Sequence, residues 1–262
     1  MIYIEEDQFI FPVEKLTSEY EWDDLIVKEN TLEAIKKIEN WLKNRNEFKK
    51  AGIIPSELRN GFRTIFFGDS GTGKTFTASL LGKNTGHDVY CINLSNVISK
   101  YIGETEKNLA KLFDRAEKLD WILVFDEADA LFGKRTGIND AHDKYANQDI
   151  SYLLQRVDSY KGLVILAFNN QLNLGLPFFK RFNSIVEFEI PDAGQRLKLW
   201  KKYLPLPAVR NNNIEVNEIA RKYELTAGKI INAIKYAIDG HQVGILKENL
   251  IKGIKREANE QD

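Results

Sequence analysis

The segment Gly68–Thr75 constrains the fold more than any other part of the sequence. It reads Gly-Asp-Ser-Gly-Thr-Gly-Lys-Thr, which fits the pattern G-x-x-x-x-G-K-[ST], and it directly follows the apolar run Thr64–Phe67. Its glycines let the backbone turn so tightly that successive N–H groups and the N-terminus of the next helix point at a phosphate. The segment therefore predicts a strand, a phosphate-binding loop and a helix over Thr75–Leu81.

Short apolar runs recur along the first three quarters of the chain and predict strands. Most are continuous rather than alternating, which is typical of strands covered on both faces, and the intervals between them have helical spacing. We therefore predict an α/β fold with a doubly wound parallel sheet. The predicted strands are Thr64–Phe67, Asp88–Leu94, Trp121–Phe125, Leu163–Phe168 and Ile185–Ile190.

The character of the sequence changes near residue 191. Beyond it the pattern is helical only, and before the first strand Asp24–Asn44 also predicts a helix. We predict a leader over residues 1–20, an α/β nucleotide-binding subdomain over 21–190 and a helical subdomain over 191–262. The predicted helices of the last part are Ala193–Leu204, Val216–Tyr223, Lys229–Ile238 and Lys247–Arg256.

Charge and composition exclude several classes of protein. The 37 Lys and Arg residues nearly balance 38 Asp and Glu residues, giving a net charge of −1, so a general attraction to nucleic acid or to acidic membranes is not expected. The apolar runs are far shorter than the ~20 residues that span a bilayer. One cysteine, Cys91, cannot form an internal disulfide, and the acidic N-terminus is unlike a secretory signal. A cytoplasmic protein without membrane or nucleic-acid partners is expected.

A pair of acidic residues follows the third predicted strand. The run Ile122–Phe125 ends in Asp126 and Glu127, at the carboxyl edge of the sheet where ligands bind. We predict that Lys74 contacts the β- and γ-phosphates, while Thr75 and Asp126 hold Mg²⁺. Glu127 is placed to polarise a water for attack on the γ-phosphate, and it indicates hydrolysis rather than binding alone.

Together with Asp129-Ala130-Leu131-Phe132-Gly133-Lys134-Arg135, this segment resembles the second box of the AAA+ ATPases, and more closely that of their AAA subgroup. The resemblance covers nearly the whole chain. It implies a P-loop NTPase sheet of the AAA+ type followed by a small C-terminal helical lid, ATP and Mg²⁺ as cofactors, and a homo-oligomeric ring, in most cases a hexamer.

The same resemblance implies further nucleotide-site residues. Asn169, with Asn170 as the alternative, is similar to the sensor asparagine that positions the attacking water, although Phe168 replaces the small hydroxyl residue common before it. Arg181 is similar to the arginine finger that completes a neighbouring subunit's site, with Lys180 where many members carry a second arginine. The implied nucleotide contacts are Asp24, Leu25 and Ile26 around the adenine, Asp69, Ser70, Gly71, Thr72, Gly73, Lys74, Thr75 and Phe76 around the phosphates, and Leu199, Tyr203, Ala227 and Gly228 in the lid.

Two loops resemble those that line the central pore of AAA unfoldases. Lys100, Tyr101, Ile102 and Gly103 place an aromatic and an aliphatic side chain where such enzymes grip an extended polypeptide. An ordinary half-buried tyrosine is the alternative for Tyr101. The polar segment Gly133–Asp143 is similar to the second pore loop, and a solvated loop is its alternative.

The resemblance predicts an oligomeric ATPase that remodels, unfolds or disassembles a protein substrate, with an adaptor as a second partner. An ATP-dependent assembly switch with slow turnover is the alternative, and a DNA-remodelling ATPase is the third. The segments Asp140–Asn147 and Ser151–Arg156 resemble bacterial ATPases found with phage-tail-like contractile injection systems.

Overall fold

A computed structural model describes residues 12–50, 61–95, 105–131, 141–169, 176–204, 215–239 and 247–258. Six strands form one sheet in the order β1-β3-β4-β5-β2-β6, and every pair is parallel except β1 with β3. The strands are β1 (Glu14–Leu16), β2 (Phe62–Phe67), β3 (Val89–Asn93), β4 (Ile122–Asp126), β5 (Leu163–Phe168) and β6 (Ser184–Glu187).

Helices occupy most of the described intervals between the strands and all of the described elements after them. Those up to β6 are α1 (Glu29–Lys50), α2 (Lys74–Thr85), α3 (Thr105–Leu119), α4 (Ala141–Ser159) and α5 (Leu176–Phe179). Those after β6 are α6 (Ala193–Tyr203), α7 (Val216–Lys222), α8 (Ala227–Asp239) and α9 (Lys247–Ala258). Two 3₁₀ turns cover Trp22–Asp24 and Ala128–Leu131.

The chain divides into two compact units. Among the described residues, unit 1 comprises 12–22, 30–67 and 74–187, and unit 2 comprises 23–29, 68–73 and 188–258. Each unit draws on segments from more than one of the ranges predicted from the sequence. The domain ranges 1–20, 21–190 and 191–262 therefore stay predictions.

The core of unit 1 lies on both faces of the sheet. All six residues of β5 are buried, as are four of the five residues of β4, which explains why both runs are continuously apolar. Helix α3 packs its apolar stripe on the sheet, and the rings of Phe113 and Phe125 stack with their centroids 5.8 Å apart. This core fixes the carboxyl ends of the strands, where the candidate site begins.

Two details near the start of the described residues differ from the sequence prediction. Residues Glu14–Leu16, within the predicted leader, form an edge strand that pairs antiparallel with β3. The predicted helix start at Asp24 is wrong, because Trp22–Asp24 form a 3₁₀ turn and α1 begins at Glu29. Helical periodicity fixes the middle of such an element better than its ends.

Unit 2 has a helical core of its own. Trp200 is fully buried, and residues of α6, α7, α8 and α9 surround it. Helix α6 begins with a capping box, in which the Asp192 carboxylate accepts the Gln195 N–H and the Gln195 side chain accepts the Asp192 N–H. Arg196 is buried and donates to the carbonyls of Pro191 and Ala220.

Within the described residues of the chain, no helix is long and apolar enough to cross a membrane.

Candidate active site

The carboxyl ends of β4 and β5 in unit 1 bring predicted site residues together with the start of α2. Lys74 is the first residue of α2 and is 6% exposed. Its Nζ atom donates to Oδ1 of Asn169, the residue directly after β5, at 3.0 Å. An amide oxygen is a neutral acceptor, so this hydrogen bond orients the ammonium of Lys74 without placing a negative charge beside it.

Thr75 and Asp126 form a second contact of the same cluster. The Thr75 hydroxyl lies 3.3 Å from Oδ2 of Asp126, the last residue of β4. Mg²⁺ prefers oxygen ligands such as hydroxyl and carboxylate groups. In most sites one or two carboxylates bind it, and substrate phosphates and water molecules complete its coordination. The pair therefore fits the Mg²⁺ site predicted from the sequence.

Glu127 has an unusual backbone conformation. Its φ angle is +52°, in the left-handed region, which costs a non-glycine residue about 1–3 kcal/mol. Two hydrogen bonds hold it there: Oδ1 of Asp126 accepts the Glu127 N–H at 2.8 Å, and the Glu127 carbonyl accepts the Ala130 N–H at 3.0 Å. Strained backbone that the surroundings enforce is typical of functional sites.

Asp129 was not among the residues predicted for the site. Its Oδ2 atom accepts the backbone N–H of Asn169 at 2.8 Å. The sequence contained a signal, because Asp129 lies in the segment that carries the resemblance, but its partner on another strand cannot be derived from spacing.

Phe168, which replaces a small hydroxyl residue, is part of the core. The side chain is 1% exposed and stands edge-on to Phe178 of α5, with centroids 6.5 Å apart. Phe178 also contacts Phe179 and Phe182. The aromatic side chain therefore supports the end of β5 from the core side, beneath Asn169.

Arg181 lies at the surface of unit 1, with 48% of its side chain exposed. Its Nη1 atom donates to Oδ2 of Asp158 at 3.1 Å. The side chain of Arg63, on β2, donates to the Asp158 carbonyl at 3.0 Å. The Arg63 N–H donates to the side-chain oxygen of Asn183, and the Asn183 N–H donates to the Arg63 carbonyl. Arg181, the predicted arginine finger, is therefore exposed, and its ion pair with Asp158 of the same unit holds its side chain.

Residues 68–73 of the phosphate loop are part of unit 2, and they contact the start of α8. The Gly228 N–H donates to the Gly71 carbonyl at 2.8 Å. A Cβ on Gly71, whose φ is +78°, would lie 2.8 Å from Oγ1 of Thr226, and a Cβ on Gly228 would lie 2.9 Å from Cα of Gly71. Only glycine at both positions allows this approach. Within the loop, the Thr72 hydroxyl donates to the Asp69 carbonyl at 2.8 Å.

The segment predicted to surround the adenine is part of unit 2. Lys202 of α6 forms an ion pair with Asp24 and donates to the Asp23 carbonyl at 3.2 Å. A Cβ on Gly73 would lie 3.4 Å from the Leu25 side chain. Leu199 is buried and Tyr203 is half-buried in the helical core. Contacts of Leu199 and Tyr203 with a nucleotide stay predictions.

Other predicted residues are placed without a test of their role. Phe76 is half-buried on α2, and the ring of Tyr20 stands edge-on to it at 5.5 Å. Lys100, Tyr101, Ile102 and Gly103 lie outside the described residues, as does Asn170. The same holds for residues 132–140 of the second predicted pore loop.

Comparison with known proteins agrees with this arrangement. Residues 64–190 match the family model described as "ATPase family associated with various cellular activities (AAA)". The chain contains an AAA ATPase domain. The match includes the phosphate loop, Asp126 and Glu127 at the end of β4, and Arg181, so the predicted family and the prediction of an ATPase are confirmed at the level of the family.

Several proteins are similar to this chain over most of its length. Cell division protein C of Sulfolobus acidocaldarius is 27% identical over 249 residues, covering 89% of this chain and 65% of that protein. Proteasome-activating nucleotidase of Methanococcus vannielii is 29% identical over 213 residues, covering 78% and 51%. The cell division cycle protein 48 homologue of Archaeoglobus fulgidus is 27% identical over 224 residues, covering 81% and 29%. The chain thus spans less than two thirds of each relative.

A solved structure gives the same fold. The FIGL-1 AAA domain, crystallised in complex with ADP, superimposes with a TM-score of 0.69 at 18% identity, over 93% of this chain and 86% of that one. At this identity the likeness is evidence for the fold only. With the parallel-dominated sheet and the helical elements after it, the likeness confirms the predicted α/β fold of the AAA+ type.

Proposed function

We propose that this chain hydrolyses ATP with Mg²⁺ at the site formed by Lys74, Thr75 and the residues that they contact. The observation that carries the proposal is the joining of Lys74 to Asn169 and of Thr75 to Asp126 at the carboxyl edge of one sheet. A lysine, a hydroxyl, a carboxylate and an amide in this arrangement match what phosphoryl transfer needs, which is positioning and charge stabilisation.

Each residue has a defined part in the proposed reaction. Lys74 binds the β- and γ-phosphate oxygens, and Asn169 orients the water. The Glu127 carboxylate takes a proton from that water as its oxygen bonds to the γ-phosphorus. The bond from the γ-phosphorus to the bridging oxygen breaks, the electron pair leaves with ADP, and the proton passes to solvent.

Thr75 and Asp126 are the residues that would hold the metal. When bound, Mg²⁺ neutralises charge on the β- and γ-phosphate oxygens. Asp126 contacts Thr75 through Oδ2 and the Glu127 N–H through Oδ1, so one carboxylate orients both groups. Replacing Asp126 would therefore disturb the metal site and the base together.

Phosphate release by variants of two glutamates tests the proposed chemistry. We expect Glu127→Gln to lower kcat by about 100-fold or more while ATP still binds, because only the proton acceptor is removed. Lys74→Ala should lose ATP binding. Glu117→Gln is the matched control, since Glu117 is a surface partner of Lys161 on α3, and it should hydrolyse ATP like the wild type. Unchanged turnover in Glu127→Gln would overturn the assignment.

We further propose a homo-oligomeric ring, a hexamer, in which Arg181 completes the site of a neighbouring subunit. Two observations support this proposal: Arg181 is exposed, and its hydrogen bond to Asp158 holds its side chain in place. Mixing Arg181→Ala with Glu127→Gln tests this sharing, because each variant retains the group that the other lacks. Activity of the mixture above that of both separate variants is expected, and its absence would contradict a shared site.

The proposed work of the ring is the remodelling of a protein substrate, chosen with an adaptor. The names of two relatives, a proteasome-activating nucleotidase and a cell division cycle protein 48 homologue, are consistent with such work. Stimulation of ATP hydrolysis by a chemically unfolded polypeptide, reduced in Tyr101→Ala, is the expected result. Slow turnover indifferent to the polypeptide and to Tyr101→Ala would favour the assembly switch instead.

A further inference from the structure

We infer that Asp129 is a positioning residue for hydrolysis, which acts by fixing the backbone of Asn169 through a hydrogen bond. The inference rests on the proposed function, because it assigns a role within the same site. The Asn169 N–H donates to Oδ2 of Asp129 at 2.8 Å, and Oδ1 of Asn169 accepts from Lys74 at 3.0 Å. One asparagine thus joins the lysine to the aspartate.

Among the described strands, the pairing of β4 with β5 stops short of this N–H. The pairing of β4 with β5 ends at Phe125 opposite Leu166, whereas the pairing of β2 with β5 continues to Phe168. Asn169 lies one residue beyond the last pair and is half-buried. A half-buried N–H at a strand end needs an acceptor, and the Asp129 carboxylate supplies it. The end of β5 is held by this side chain where the sheet ladder stops.

The position of Asp129 follows from the strained turn before it. Glu127, with φ at +52°, turns the chain out of β4 into the 3₁₀ turn Ala128–Leu131. Ala128 and Leu131 are buried in the core, so both ends of that turn are anchored. Asp129 is therefore carried on a fixed support, which is what a group that orients another group requires.

The hydrogen bond to Asp129 fixes the backbone from which the Asn169 side chain extends. Its side chain can place a water only if the backbone that carries it is fixed, and displacements of about 1 Å can lower turnover by 100-fold. Glu127 and Asp129 lie on the same short segment, so the carboxylate that activates water and the backbone of the asparagine that positions it are held by one segment of chain. Asp129 links these two groups without contacting the reacting atoms itself.

A series at position 129 tests the hydrogen bond separately from the charge. Asp129→Asn keeps an oxygen acceptor of the same shape, whereas Asp129→Ala removes it. We expect Asp129→Ala to lower kcat by about 10-fold to 100-fold with the KM for ATP within about twofold. Asp129→Asn should retain at least about a third of the wild-type kcat. A kcat equal to wild type in Asp129→Ala, or an equal loss in both variants, would overturn the inference.

A double-mutant cycle shows whether Asp129 acts through Asn169. In an Asn169→Ala background the positioned side chain is gone, so Asp129→Ala should lower kcat no further. Losses that multiply would contradict the proposed linkage. Asp114→Ala is the control, since Asp114 pairs with Arg156 at the surface of α3, and it should leave kcat unchanged.

Two further measurements separate the possible failures. Thermal melting and ATP binding of each variant at the assay temperature identify loss of kcat that comes from unfolding, and the Asp129→Asn variant keeps the test open if Asp129→Ala unfolds. Glu127→Gln in the same assay reports on the proposed function. If Glu127→Gln abolishes turnover while Asp129→Ala does not, the inference is wrong and the ATPase stands.

Discussion

Nζ of Lys74 lies 3.0 Å from the side-chain oxygen of Asn169, so the lysine that would bind phosphate is held by a neutral acceptor. Asn169→Asp would replace that acceptor by a carboxylate, which pairs with Lys74 and repels phosphate. We expect Asn169→Asp to raise the KM for ATP by about tenfold, because an ion pair must be broken first.

Asn169→Ala is the matched comparison for this prediction. It removes the acceptor without adding charge, so kcat should fall while KM stays near that of the wild type. Steady-state phosphate release against ATP concentration measures both constants. An identical KM in Asn169→Asp and Asn169→Ala would show that charge at this position does not affect binding.

The close approach of Gly71 and Gly228 predicts a selective effect on nucleotide affinity. In Gly71→Ala the new Cβ would lie 2.8 Å from Oγ1 of Thr226, so the phosphate loop has to move. Gly86 has a similar φ of +73°, but a Cβ there meets nothing within 4 Å. Both alanine variants should lose about 1–2 kcal/mol of stability from the left-handed backbone. Only Gly71→Ala should also weaken ATP binding.

Isothermal titration with a non-hydrolysable ATP analogue, together with denaturant unfolding, measures the two effects. The prediction is a loss in the free energy of unfolding in both variants, no smaller in Gly71→Ala than in Gly86→Ala, and a weaker Kd in Gly71→Ala alone. Equal affinities in the two variants would mean that the loop tolerates displacement at Gly71.

A cluster at the other end of the strands predicts a dependence of stability on pH. Hydrogen bonds from His87 and Arg45, with the charge of Arg45, lower the pKa of Asp120 from 3.8 to about 2, although partial burial opposes the shift. A lowered folded-state pKa stabilises the protein above pH 4, and the contribution is lost as pH falls from 4 towards 2. The Asp120 side chain is 51% exposed, so we expect about 1 kcal/mol after allowance for solvent screening.

Asp120→Asn is a suitable probe of this contribution. The residue has a φ of +57°, which asparagine tolerates as well as aspartate does, so the substitution changes charge without new backbone strain. Urea unfolding should give a difference of about 1 kcal/mol at pH 7 that disappears towards pH 2. A difference independent of pH would contradict a role for the Asp120 charge.

The only cysteine in the sequence predicts slow thiol labelling. Burial, with the charges of Asp126 and Glu14, raises the pKa of Cys91 to about 12. Since the thiolate is the reactive form, a disulfide reagent at pH 8 should modify the native protein slowly and the urea-unfolded protein at once. Complete labelling of the native protein within the mixing time would contradict the partly buried position of Cys91 on β3.

The central part of the sheet was largely accessible from the sequence because the strands β4 and β5 are buried on both faces. Leu163–Phe168 is the clearest case, since the predicted and observed bounds of β5 are the same. The edge strand Glu14–Leu16 was missed because three residues carry little periodicity, and their conformation depends on the partner strand β3.

Of the candidate site, the residues on contiguous motifs could be predicted, whereas those defined by a turn could not. Lys74, Thr75 and Asp126 were predicted by spacing, and the structure places Lys74 in contact with Asn169 and Thr75 in contact with Asp126. The part played by Asp129 depends on the left-handed conformation of Glu127, which no propensity predicts for a glutamate. Likewise, the pairing of Arg181 with Asp158 joins segments that have no common sequence pattern.

Turnover per protomer, measured against protein concentration, tests most directly whether the proposed ATPase site is shared between subunits. The wild type should gain activity per protomer as concentration rises and the ring assembles. Arg181→Ala should be lower by about 10³-fold at every concentration while still binding ATP. Turnover that is independent of concentration and unaffected by Arg181→Ala would contradict the shared site.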